Sequence, residues 1–182
     1  MFGLSSSGKS SILQRLKHQQ LTGKGALVPT TPTIGFNIEW VECNFGSGGC
    51  SVWDYGGQFF GSLRNSSRDG IICDADAIIF ALDASNVGGG MEQEMELLHK
   101  MLESKQVEAD IPLLIFANKQ DMLAGGATIA RDVADRLGLY DNENNSRFLF
   151  RRWHVQECSA MNNEGIQEGW GWLMTTMQGD LG

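Results

Sequence analysis

The segment Gly3-Leu4-Ser5-Ser6-Ser7-Gly8-Lys9-Ser10 constrains the fold of this chain more than any other, because it matches the pattern G-x-x-x-x-G-K-S/T at every fixed position. Glycines at its two ends let the backbone curl around a phosphate with its N–H groups turned inward. Lys9 adds a cation for the outer phosphates, and the Ser10 hydroxyl suits a Mg2+ ligand. Ser11-Ile12-Leu13-Gln14-Arg15-Leu16-Lys17 continues as an amphipathic helix, whose positive end would face the bound anion. A loop of this kind joins a buried strand to a helix. Here only Met1 and Phe2 precede it, so the first central strand is expected to be missing from this chain.

A second motif selects the nucleotide. Ile111-Pro112-Leu113-Leu114-Ile115-Phe116-Ala117 is a short apolar run that reads as a buried parallel strand. It delivers Asn118-Lys119-Gln120-Asp121 at its carboxyl end, where open α/β sheets bind ligands. A carboxylate accepts two hydrogen bonds only from an edge with two adjacent N–H donors. Guanine has such an edge and adenine does not. Asp121 is then the specificity residue, the Lys119 stem lies along the base, and Asn118 braces neighbouring loops. Alone, N-K-x-D also reads as a polar turn with Asp121 capping a helix; beside the phosphate loop, guanine is the favoured reading.

Residues that would sense a third phosphate lie between the two motifs. Thr30-Thr31-Pro32-Thr33-Ile34-Gly35-Phe36-Asn37 leads into the alternating stretch Ile38-Glu39-Trp40-Val41-Glu42-Cys43, and Cys50-Ser51-Val52-Trp53 returns it as a hairpin. Asp54-Tyr55-Gly56-Gly57-Gln58 follows. Asp54 can hold Mg2+ through water, and the Gly57 N–H can reach a γ-phosphate because no side chain blocks the approach. Gln58 is placed to orient an attacking water.

The strings P-T-I-G-F-N at 32–37, W-D-Y-G-G-Q at 53–58, N-K-Q-D at 118–121 and Ser159-Ala160 resemble the ADP-ribosylation factor (Arf) and Arf-like small GTPases over nearly the whole chain. The resemblance implies a single P-loop GTPase domain over residues 1–182, truncated at its amino terminus, with a three-layer α/β/α architecture and a mixed, mainly parallel sheet. It implies GTP and GDP as ligands with Mg2+. Gly3, Leu4, Ser5, Ser6, Ser7, Gly8, Lys9, Ser10 and Ser11 would surround the phosphates, and Ser10 and Thr33 would ligate the ion, with Asp54 acting through water. Lys9, Gly57 and Gln58 would serve hydrolysis, while Asn118, Lys119, Asp121, Ser159 and Ala160 would hold guanine. Implied partners are an exchange factor, a GTPase-activating protein and effectors, with a role in vesicle trafficking. Phe36 and Trp53 match two members of an exposed aromatic trio that effectors recognise, and the third position falls on Arg68.

Composition narrows the alternatives. A chain of 182 residues with 42% hydrophobic content can build one core, and strand-like runs at 77–83, 111–117 and 153–158 alternate with helical patterns at 91–102, 128–137 and 165–177. A net charge of −8 argues against a nucleic-acid footprint or a polybasic membrane patch. Phe2 replaces the acylated glycine, and no prenylation motif closes the chain, so the expectation is a cytoplasmic monomer without its own lipid anchor, reaching membranes through partners. Cys43 and Cys50 could face each other across the hairpin, although unpaired strand thiols are the plainer reading. Two other functions stay open. One is a non-cycling partner-binding module, favoured by the absent strand and the serine-rich loop. The other is a different P-loop enzyme such as a nucleotide kinase, which N-K-Q-D weakens.

Overall fold

In the computed structural model the described residues are 1–18, 29–42, 48–58, 75–86, 91–102, 107, 110–123, 129–140 and 152–179. Three strands, β3 (Ile78–Asp83), β4 (Leu113–Asn118) and β5 (Trp153–Glu157), form a parallel sheet in the order β3-β4-β5. β3 and β4 read as unbroken apolar runs because both their faces are covered. The run at 111–117 pairs only from Leu113. Pro112 has no N–H to give, while its carbonyl accepts Ile78 N at 2.8 Å.

Helices cover the two faces separately. Ile79, Ala81, Leu114 and Phe116 face α1 (Lys9–His18) and α4 (Ile166–Gln178), where Ile12, Leu16, Trp170 and Leu173 complete one core. Phe80, Leu82, Leu113 and Ile115 face α2 (Glu92–Leu102) and α3 (Ala130–Arg136), with Leu98, Met101, Val133 and Leu137 completing the other. The strand period of two divides the side chains between these cores. The three-layer expectation is met. No helix among the described residues is long and apolar enough to cross a membrane.

The hairpin β1 (Phe36–Glu42) and β2 (Gly49–Tyr55) is antiparallel, with Phe36 opposite Tyr55 and Val41 opposite Cys50. Cys50 therefore faces Val41, and Cys43 lies outside the described residues. Among the described residues, Met1 and Phe2 stand between hairpin and parallel sheet. Phe2 N donates to Ile79 O and Ala81 N to Phe2 O, both at 2.8 Å, and Tyr55 N donates to Met1 O at 3.1 Å. The expected loss of the first strand is thus qualified: two residues occupy its place, Met1 packing into one core and Phe2 into the other.

Candidate nucleotide site

The phosphate loop follows Phe2, which bridges to Phe80 of β3, and runs into α1. Gly8 has φ +89, and a Cβ there would lie 2.1 Å from Asn118 Nδ2, so only glycine fits. Ser6 carries the strained left-handed conformation without that freedom, at φ 66. Lys9 is buried, and its ammonium folds back into the loop, donating to Gly3 O at 2.9 Å, Leu4 O at 2.7 Å and, at 3.4 Å, Ser7 Oγ. Burial lowers its pKa and the Asp54 charge opposes that shift.

Three separate segments meet at the start of α1. Ser10 Oγ donates to Asp54 Oδ2 at 2.6 Å and lies 3.1 Å from Thr33 Oγ1. The other Asp54 oxygen, Oδ1, is buried without a hydrogen-bond partner. An orphaned carboxylate oxygen beside two hydroxyls is a hard-oxygen donor set of the kind Mg2+ takes, so these residues fit that ion. A cavity of about 850 Å³ opens beside them between α1 and residues 29–39. Gly57 closes against the phosphate loop so tightly that a Cβ would lie 2.1 Å from Ser5 N. Gln58 follows it, exposed.

The base-side residues assemble at the carboxyl ends of β3, β4 and β5. Asn118 spans two loops: Nδ2 donates to Ser7 O and Oδ1 accepts Ala160 N, each at 3.0 Å. Its bracing role thus has a direct geometric counterpart. Lys119 adopts a left-handed conformation, φ 69, that turns the chain out of β4. Asp121 Oδ1 accepts Ser159 Oγ at 2.5 Å, and the aspartate side chain is exposed. Cys158 is buried just before Ser159, and burial pushes its thiol pKa up, with Asp121 adding to the effect. Ser11 sits in the first turn of α1. Phe36 and Trp53 stack at 5.2 Å on the exposed side of the hairpin, beside exposed Ile38 and Trp40. Arg68 lies outside the described residues.

Sequence reasoning missed two residues here. Asp83, opposite Asn118 in the strand register, accepts Lys119 Nζ at 2.5 Å. Burial alone would raise its pKa, but hydrogen bonds from Lys119 and Ser85 hold the carboxyl below its usual range. Its available signal was a carboxylate closing an apolar strand, as Asn118 closes the next. Arg15 was the other. Its Nε donates to Ala160 O at 2.8 Å and its Nη2 to Met161 O at 2.7 Å. Nothing in the helix pattern marks it.

A phosphate loop at the head of a helix, with an Asn-Lys-x-Asp turn at the carboxyl edge of a parallel sheet, defines the class: a P-loop nucleotide-binding protein. The profile of the ADP-ribosylation factor family matches residues 1–177, and the chain belongs to this family of small GTPases. It is 34% identical over 179 residues to ADP-ribosylation factor F of Dictyostelium discoideum, covering 98% of this chain and 84% of the relative. The solved structure of the Arl6 BBS3 small GTPase from Trypanosoma brucei, with the bound nucleotide analogue GppNp, matches with a TM-score of 0.73 at 26% identity, over 98% of this chain and 95% of that one. GTP-binding switches of the Arf and Arf-like group are the family to which sequence and fold assign the chain.

Proposed function

We propose that this chain binds GTP and GDP at one site and hydrolyses GTP to GDP and phosphate. The observation that carries the reading is the convergence of Ser10, Thr33 and Asp54 beside the phosphate loop, with one Asp54 oxygen buried and unpartnered. These residues would hold Mg2+, with Asp54 acting through water; the ion, when bound, would neutralise charge on the outer phosphate oxygens. Lys9 would exchange its loop carbonyls for phosphate oxygens, recovering the charge-assisted bonds that favour its protonated form. Gly57, already against Ser5, would present its N–H to the γ-phosphate. Gln58 would orient the attacking water.

The base would lie against the Lys119 stem, its two adjacent donors on Asp121 and its carbonyl facing the Ala160 N–H. Loss of the γ-phosphate would release the segments around Thr33 and Gln58, and with them the Phe36–Trp53 surface on which effectors would read the state. An activating protein and an exchange factor would set the two directions of the cycle, and by family resemblance the output would be vesicle or membrane trafficking.

The test is to purify the chain in Mg2+ buffer, denature it and quantify released nucleotide by chromatography, then follow single-turnover GTP hydrolysis. Near-stoichiometric GDP or GTP is expected, and Gln58→Leu should slow hydrolysis by about tenfold or more while binding is kept. Equal rates in both proteins would remove Gln58 from its role. A folded protein that carries and takes up no guanine nucleotide would overturn the switch and favour a partner-binding module.

A further inference from the structure

Arg15 crosses from α1 to the loop that follows β5, a reach of 145 positions in sequence. Its guanidinium presents two N–H groups to two successive carbonyls, Ala160 O at 2.8 Å and Met161 O at 2.7 Å. The planar fork suits such a pair, and a charged donor strengthens both bonds. The loop it holds is internally closed. Ser159 N donates to Glu164 O at 3.0 Å, Glu164 N to Ser159 O at 3.1 Å, and Asn162 N to Ser159 Oγ at 3.0 Å. Asn163, at φ 61, makes the turn between them.

Those bonds fix the loop's shape and leave its placement to contacts outside it. Asn118 Oδ1 takes Ala160 N from one side, Asp121 takes the Ser159 hydroxyl, and Arg15 takes the Ala160 carbonyl from the other side. A ring results: the phosphate loop holds Asn118 through Ser7 O, Asn118 holds Ala160, Ala160 is held by Arg15, and Arg15 belongs to the helix that continues the phosphate loop. The peptide groups flanking Ala160 are gripped at both ends.

We infer that Arg15 is a positioning residue for base recognition: by holding the Ala160 and Met161 carbonyls it fixes the loop that carries the Ala160 N–H, which donates to Asn118 Oδ1 here and which the carbonyl of a bound purine would take over or share. The inference rests on the guanine-nucleotide reading of the site. It ties the geometry of the base pocket to that of the phosphate loop through one side chain. Lysine in its place could reach one carbonyl and could not span both with a rigid fork.

The test compares the full chain with Arg15→Met and Arg15→Lys, using GDP and the diphosphate of 2-aminopurine riboside. That analogue keeps guanine's exocyclic amine and lacks both its carbonyl and its ring N–H; the missing N–H weakens binding to every chain alike, so the effect of Arg15 is read from the change in the ratio of the two affinities. Arg15→Met should weaken GDP roughly tenfold, with Arg15→Lys between it and the unmodified chain, while the analogue changes much less. Discrimination between the two ligands therefore narrows. An equal loss for both ligands would make Arg15 a general structural tie and overturn the inference, as would unchanged GDP binding. Should Arg15→Met not fold, Arg15→Lys carries the test by the same criterion, a smaller narrowing supporting it and an unchanged ratio overturning it. Failure of the unmodified chain to bind GDP is seen before any variant is made, and it would overturn the guanine reading and this inference together.

Discussion

Asp121 is exposed, yet the Ser159 hydroxyl holds its Oδ1 at 2.5 Å and sets the plane of the carboxylate. A fixed carboxylate can select an edge with two donors; a freely rotating one selects poorly. Asp121→Asn keeps an oxygen for Ser159 and exchanges the second acceptor for a donor. Xanthine presents a carbonyl where guanine presents an amine, so the variant should prefer XTP over GTP. A swing on the order of a hundredfold is expected, since a mismatched charged hydrogen bond costs about 1.5–3 kcal/mol. Competition between the two triphosphates measures it, and an unchanged ratio would take Asp121 away from the base. The place of Asp121 at the carboxyl edge of the sheet was legible in the sequence, because it sits in a short motif behind an apolar run. Asp83 was not, since its hold on Lys119 crosses from β3 to β4 and no window of sequence contains both.

Strands and helices were legible to the extent that burial writes a period. β3 and β4 are apolar runs because both faces are covered, and α2 and α4 show one buried stripe each. Their ends were set by partners far away in sequence. The helical pattern at 128–137 begins as helix only at Ala130, where Glu157 Oε1 accepts Ile129 N at 2.6 Å and Ala130 N at 2.8 Å. Ile129, at the cap position, makes no side-chain bond of its own to the helix. A carboxylate on β5 thus does for α3 what a local Ser or Asp does elsewhere, and it meets the positive end of the helix as well. With seven residues, α3 is too short to persist unaided. Glu157→Ala should therefore lower stability by about 1–2 kcal/mol, read as a drop in urea midpoint. Faster amide exchange confined to residues 129–137 would accompany it. A midpoint equal to that of the unmodified chain would show that the cap contributes nothing.

At the scale of the whole molecule, the hairpin and the parallel sheet are joined through Met1 and Phe2. Phe2 stacks on Tyr55 at 4.8 Å while its backbone pairs with β3, so aromatic packing and sheet bonding reinforce the same seam. The pairing that Met1 and Phe2 make depends on where β2 and β3 lie, which no stretch of the sequence records. One consequence is electrostatic. In a chain that starts at Met1 with a free α-amine, that amine is buried and donates to Trp53 O. Burial lowers its pKa from 8.0 to about 5; Asp54 opposes the shift and Lys9 adds to it. Between those values the unfolded chain binds a proton that the folded chain does not, so stability rises with pH across this window. It is complete above about pH 8 and is lost progressively as pH falls toward 5. Lys9, lowered for the same reason, contributes with the same sign at the alkaline end. Asp83 and Glu39 are held below their ordinary carboxylate values, so their losses come at more acid pH than this window. Burial raises the Glu94 carboxyl, which acts with the opposite sign from the acid side. Urea unfolding at pH 6 and pH 8 in constant salt, with an amino-terminally acetylated chain for comparison, reads the share of the amine, and the unacetylated protein should be more stable at pH 8 by roughly 2 kcal/mol. Midpoints that coincide would mean that the amine is charged and solvated in the folded chain, and that Met1 does not occupy the seam between the two sheets.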